Sequence, residues 1–220
     1  MTRRIALTGI TALALARVHR AFCVEPVSNP AFPDLRFDVL RNGGVIGRSN
    51  VTFHQDGDAL SANTVVDIEV RLGAIVLYRY AQTARETWSG GQFVSLDSET
   101  DDGGKHHAVH AMRSGDHVVA RAANAEPMSL PADAIPMTHW NILCMERPLF
   151  NVQDGSAIDS RIEPRGEDMV TLADGQTLRA ARYSLIGKFA VDDWYDDSHH
   201  WASLRMTGSD GSTIEYRRAT

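Results

Sequence analysis

The chain has 220 residues, 43% hydrophobic and 23% charged, with a formal net charge of −6 and two cysteines. That length supports one domain with a sizeable core, and the ordinary composition excludes a fibrous or wholly disordered chain. The acidic balance, with no block of Lys or Arg, excludes a nucleic-acid face and argues against attraction to anionic membrane surfaces.

The amino-terminal stretch reads as an export signal. Arg3 and Arg4 precede a short apolar run, Ile5 to Ala16, that closes on Ala14-Leu15-Ala16, a small-x-small cleavage pattern. The run is too short to anchor in a bilayer. Cleavage of residues 1–16 would leave no transmembrane anchor and a periplasmic or secreted protein. Arg17, His19 and Arg20 beyond the run leave general secretory and twin-arginine export both open. The bland alternative is a buried N-terminal helix of a cytosolic protein.

Residues 17–34 contain Pro26, Pro30 and Pro33, which deny regular ladder hydrogen bonds and predict an extended arm. Cys23 in this arm can pair with Cys144 in an oxidising compartment, and a buried thiol at Cys144 is an equal alternative.

From residue 35 to 220 the chain reads as one β-domain. Short alternating runs are cut by turn pairs such as Asn42-Gly43, Asp56-Gly57, Asp102-Gly103, Asp174-Gly175 and Asp210-Gly211. Gly, Asn and Asp tolerate the positive φ that tight hairpins need. The cleanest strand is Leu60 to Val70, with Leu60, Ala62, Thr64, Val66, Ile68 and Val70 on one face and mostly polar residues opposite. Ile75 to Trp88 continues as a strand pair or a bent strand. Ala125 to Pro148 holds four prolines, with Thr138 placed to cap a short helix carrying Trp140, Leu143 and Cys144. Strands resume from Ile158 to the C-terminus. So many strands must curl. The fold class is all-β: a curved antiparallel sheet forming an open half-barrel or a closed barrel, with one short Pro-rich, helical cap. A two-sheet sandwich fits the pattern as well.

Asn42-Gly43-x-x-Ile46-Gly47, Leu77-Tyr78-Arg79-Tyr80, Glu86-x-Trp88, Thr100-Asp101-Asp102-Gly103, His139-Trp140-Asn141, Asn151-x-Gln153-x-Gly155 and Trp194-Tyr195-Asp196 form a set. With Asp210-Gly211-Ser212 it resembles a proteobacterial family of small secreted proteins of unknown function, from Phe37 to the C-terminus. That family is similar to a larger uncharacterised secreted family. The resemblance implies a likeness to open β-barrels of the periplasmic lipoprotein-carrier type, which hold acyl chains, and brings no activity with it.

Four clusters carry candidate chemistry. His106, His107 and His110 place two imidazoles on one strand face, but no third ligand is fixed by spacing, so a solvated hairpin edge is favoured over a metal site. Asp192, Asp193, Asp196, Asp197, His199 and His200 surround a turn and would serve acid/base chemistry, or merely cap the turn. Tyr78, Tyr80, Glu86 and Trp88 share a face. There Glu86 either pairs with an Arg such as Arg182 or has a raised pKa. His139-Trp140-Asn141 would close a cavity or plug a barrel end.

The sequence therefore predicts a domain that binds a hydrophobic or amphipathic small molecule, a lipid or isoprenoid, in a barrel cavity. Tyr78, Tyr80, Glu86, Trp88, Trp140 and Trp194 would form the ligand site, with no metal and no cofactor. Two alternatives stand beside it. One is a periplasmic hydrolase or isomerase using Asp192, Asp196 and His199 or His200. The other is a ligand-free envelope interaction module with an exposed apolar patch or bare sheet edge.

Overall fold

The structure is a computed structural model that describes residues 32–123, 125–187 and 190–219. The expected signal peptide, Cys23 and most of the expected arm lie outside the described residues.

The alternation seen in the sequence becomes a long antiparallel meander. Its first half is β1 (Leu35–Arg41), β2 (Gly44–Asp56), β3 (Ala59–Leu72), β4 (Ile75–Ser89), β5 (Gln92–Asp102), β6 (Lys105–Ser114), β7 (His117–Ala122) and β8 (Met128–Pro131). An insert then carries β9 (Ile135–Pro136), a 3₁₀ turn (Ile142–Met145), β10 (Leu149–Phe150) and β11 (Ala157–Ile158). The meander resumes with β12 (Ser160–Thr171), β13 (Thr177–Gly187), β14 (Val191–Tyr195), β15 (Trp201–Thr207) and β16 (Thr213–Arg218).

Thirteen strands form one sheet in the order β12-β13-β14-β15-β16-β1-β2-β3-β4-β5-β6-β7-β8. The last strand pairs with the first, Val39 opposite Tyr216, so the two halves join at β16–β1. The curved sheet stays open between β8 and β12, where the insert interrupts the meander. Both open edges carry prolines, Pro131 on β8 and Pro164 beside a bulge on β12, and neither offers a regular ladder to another chain.

The period-two reading of β3 holds: Leu60, Ala62, Thr64 and Val66 are buried, while Val65 is exposed. Ile75 to Ser89 is one long strand rather than a pair, with a bulge of its own at Leu77 and a bulge of its partner β5 at Val94 near the other end. Gly47 lets β2 lie close to β3, because a Cβ there would sit 2.1 Å from the Asp67 carbonyl oxygen. The inner faces of both halves meet in one core that includes Phe37, Val51, Trp88, Phe93, Leu96, Leu185, Tyr195 and Trp201.

The expected helix is smaller than its sequence suggested. It is a single 3₁₀ turn capped by Asn141, whose side chain accepts from the Leu143 N–H at 3.0 Å, and Thr138 is not its cap. His139 has φ of 66°, so the chain turns sharply there and Trp140 precedes the turn instead of riding on a helix. A three-stranded mini-sheet completes the insert, β10 pairing parallel with β9 and antiparallel with β11.

Candidate functional site

The insert lies against the inner face of the sheet. Most of its backbone hydrogen bonds run within itself, among them Ile135 N–H to Pro148, Met137 to Phe150, Cys144 to Asn141 and Asn151 to Ser156, while Ala134 N–H reaches back to Pro131 of β8. Side chains tie it to the large sheet. At the centre of these ties are two buried carboxylates, Glu86 on β4 and Asp193 on β14, exposed by 0% and 1%.

The two carboxylates are built alike. Glu86 accepts the Trp88 indole N–H from its own strand at 3.0 Å and the Trp140 indole N–H from the insert at 2.7 Å. Asp193 accepts the Trp201 indole N–H from β15 at 3.0 Å, and His139 Nδ1 of the insert lies 2.9 Å from its other oxygen. A carboxylate only accepts, so Nδ1 is the protonated nitrogen of that ring. The His139 ring stacks on Trp201 with centroids 5.4 Å apart, and the Tyr195 hydroxyl donates to the His139 carbonyl at 2.7 Å. Adjacent residues of the insert, His139 and Trp140, thus each grip one buried acid. A fourth tie is Gln153, whose amide donates to the Tyr80 hydroxyl at 3.0 Å.

Local sequence explains the placement. Glu86 alternates with Ala84 and Trp88 on the buried face of β4, and Asp193 alternates with Val191 and Tyr195 on that of β14. Burying an unpaired carboxylate is prohibitive, and here two indole N–H groups meet Glu86 while an indole and an imidazole meet Asp193. Burial pushes the Glu86 carboxyl up to about 7, against the pull of the Trp140 and Trp88 donors. Burial likewise drives the Cys144 thiol up to about 12, with the charges of Glu86 and Asp193 adding to it, and raises Tyr195 well above the phenol range. Cys144 is a buried thiol 3.6 Å from the Pro136 carbonyl oxygen.

The expected barrel cavity is filled by the chain itself. Trp140 makes ring contacts with Phe32, Phe53 and Trp88 at 5.5, 5.0 and 5.7 Å, and Phe150 meets Phe93 at 5.8 Å. These side chains, with Ile135 and Leu149, occupy the inner face. A groove of about 720 Å³ lies instead on the outer surface, between Val45, Arg48, Glu69 and Arg79.

Of the six residues expected to form the ligand site, Glu86, Trp88 and Trp140 converge. Tyr80 joins them indirectly, through Gln153. Tyr78 does not: it is partly exposed at the base of the β3–β4 hairpin, donating to Asp102 at 2.6 Å. Trp194 is on the opposite face, in a small separate cluster with Val170, Ala180 and Ala202. Alternation along β14 sends Asp193 and Tyr195 inward and Trp194 outward, where Arg182 and Arg205 flank its ring and Asp168 accepts its N–H at 3.1 Å.

Among the described residues Glu86 has no arginine partner. Arg182 donates to Asp192 at 2.7 Å, and the Ser184 hydroxyl donates to the same carboxylate at 2.5 Å. Asp196 accepts from the Ser198 and His200 N–H groups of its own turn and from Arg218. Asp192 and Asp196 are thus engaged apart from each other, and the cluster proposed for acid/base work does not form a cleft. His110 lies 2.6 Å from Asp97, and His106 lies 3.8 Å from Asp101 at the exposed end of the β5–β6 hairpin. Among the described residues no group of three potential metal ligands assembles.

An open, curved, β-barrel-like sheet with a docked insert defines the class of this protein. At the level of fold it is similar to a β-barrel-like protein of a domain of unknown function, DUF1849, from Brucella abortus. The two superpose with a TM-score of 0.59 at 10% identity over 85% of this chain and 95% of that one. A comparison with curated proteins gave no match. The chain belongs to the DUF6134 family, a domain of unknown function whose model matches residues 37–219.

Proposed function

We propose that this chain is an exported binding domain for a hydrophobic or amphipathic small molecule, of the lipid or isoprenoid class, and that residues 132–159 are the lid over its site. The supporting observation is the way the insert is held. Most of its backbone hydrogen bonds close within itself, and its grip on the sheet centres on side chains meeting two buried acids, Glu86 and Asp193. An all-apolar contact would have no need of a buried acid, and a buried acid of raised pKa is a recurrent mark of functional sites. With Trp140 withdrawn, Glu86 stands at the floor of an apolar face, bordered by Trp88, Phe93 and Phe53. It is placed there to accept a hydrogen bond from the polar head of the incoming molecule. The site is a closed lid in this reading, and periplasmic or secreted location follows from the leader at residues 1–16.

Hydrogen exchange read by mass spectrometry tests the lid. Backbone amides of 132–159 should open in a step separate from the strands β3 to β5, and Trp140→Phe should speed that step while leaving the strands protected. Exchange of the insert only together with the whole sheet, in both proteins, contradicts the reading.

A further inference from the structure

We infer that the projecting end of the β3–β4 hairpin is a membrane-contact element, which dips into the outer acyl layer of a lipid bilayer. This goes beyond the lid and does not depend on it.

The hairpin outruns its neighbours. Pairing with β2 reaches Ile68 and pairing with β5 reaches Tyr80, beyond which β3 and β4 pair only with each other up to Leu72 opposite Ile75. That free end is apolar: Leu72, Ile75 and Leu77 are exposed by 68%, 64% and 61%, and Val76 and Tyr78 by 40% each. Large apolar side chains gathered in water mark a contact surface.

The distribution of these side chains identifies the occupant. Cross-strand partners share a face, so Leu72 and Ile75 lie on one side of the ribbon and Val76, opposite Arg71, on the other. Leu77 is the extra residue of a bulge between Val76 and Tyr78. A second copy or a flat protein partner would cover one side and leave the other in water. A fluid acyl layer wraps both.

The polar residues are placed to match. Arg71 reaches back from the tip to Glu69, which also binds Arg79. At the base Tyr78 donates to Asp102, and the Gly103 N–H donates to the Arg79 carbonyl. A tyrosine and snorkelling arginines below an apolar tip are the arrangement of a membrane interface. From Val70–Tyr78 to Leu72–Ile75 is two steps along β3, roughly 7 Å at the rise of a strand. This matches the depth of the headgroup–acyl boundary and falls far short of spanning. Because Glu69 pairs with both arginines, Asp67 and Asp101 add negative charge beside Arg79, and the whole chain is acidic, attachment rests on apolar area and not on anionic lipid.

The test is co-sedimentation of the purified chain with vesicles of phosphatidylcholine alone and of phosphatidylcholine mixed with phosphatidylglycerol. The wild type should bind both alike and keep binding in added salt. Combined Leu72→Ser, Ile75→Ser and Leu77→Ser should weaken binding by roughly tenfold or more, since those side chains hold the apolar area. The same variant should unfold at the same urea concentration. A Leu77→Trp reporter should shift its emission to the blue and be quenched by brominated lipid. Three results would overturn the inference: no binding by the wild type, undiminished binding by the triple variant, or a wild-type dimer that the triple variant converts to monomer. None of these bears on the exchange behaviour of the lid.

Discussion

Replacing Glu86 by Gln should uncouple stability from pH in a way the structure specifies. The folded carboxyl releases its proton near pH 7 and the unfolded one near the ordinary 4.5. The folded state therefore binds the proton more tightly. This stabilisation is fully present below pH 4.5 and is lost as pH rises through 7. Within that window stability falls by up to ~1.4 kcal/mol per pH unit, or ~3 kcal/mol in all. Glutamine never ionises. It keeps one oxygen for one indole but turns an amide N–H₂ toward the other, a loss of ~1–2 kcal/mol. Glu86→Gln should thus be weaker than wild type at pH 5 and equal or stronger at pH 8. Urea unfolding at pH 5, 6.5 and 8 reads the difference directly, because every other titrating group is common to both proteins. Two curves separated by a constant amount across the range would show that the Glu86 carboxyl does not change its proton affinity on folding.

Asp193→Ala removes the acceptor for both Trp201 and His139 and should lower stability by ~2–5 kcal/mol in urea unfolding, with Asp193→Asn recovering about half. A change below ~1 kcal/mol for the alanine variant would mean that the carboxylate does not pin the insert. Gly47→Ala drives a Cβ against the Asp67 carbonyl oxygen and the Ile68 Cα, both backbone, and should lose about 1–3 kcal/mol. Gly44→Ala meets only an ordinary 3.6 Å contact and should be nearly neutral on the same thermal melt. Equal melting points for the two would show that β2 and β3 have room to separate there.

The β-character was legible because period two is a local property. Leu60 to Val70 shows its buried face in its own residues, and the Gly-containing pairs mark the hairpin ends. Glu86 was legible for the same reason, as an acid on an apolar face beside Trp88. The identical signal existed at Asp193, which alternates with Val191 and Tyr195. It was masked by Asp192, Asp196 and Asp197, whose density suggested a solvent-facing or catalytic cluster. What joins the two acids is not local. Trp140 is 54 residues from Glu86 in the chain, and His139 is 54 from Asp193. The parallel pairing of β9 with β10 has no sequence period at two residues per strand. His139 in a left-handed conformation ended the expected helix before it began. Tyr78 and Trp194 were misplaced by composition: aromatic character suggested a pocket, whereas one sits at a hairpin base and the other between two arginines on the outer face.

In the proposed function the inner face carries a ligand site beneath the insert. Native mass spectrometry of the 220-residue protein purified from a bacterial host, followed by solvent extraction, tests it. A near-stoichiometric mass excess that leaves in solvent as a lipid or isoprenoid is the predicted result. A bare protein mass with nothing extractable would contradict the claim and identify the two buried acids as purely structural pins.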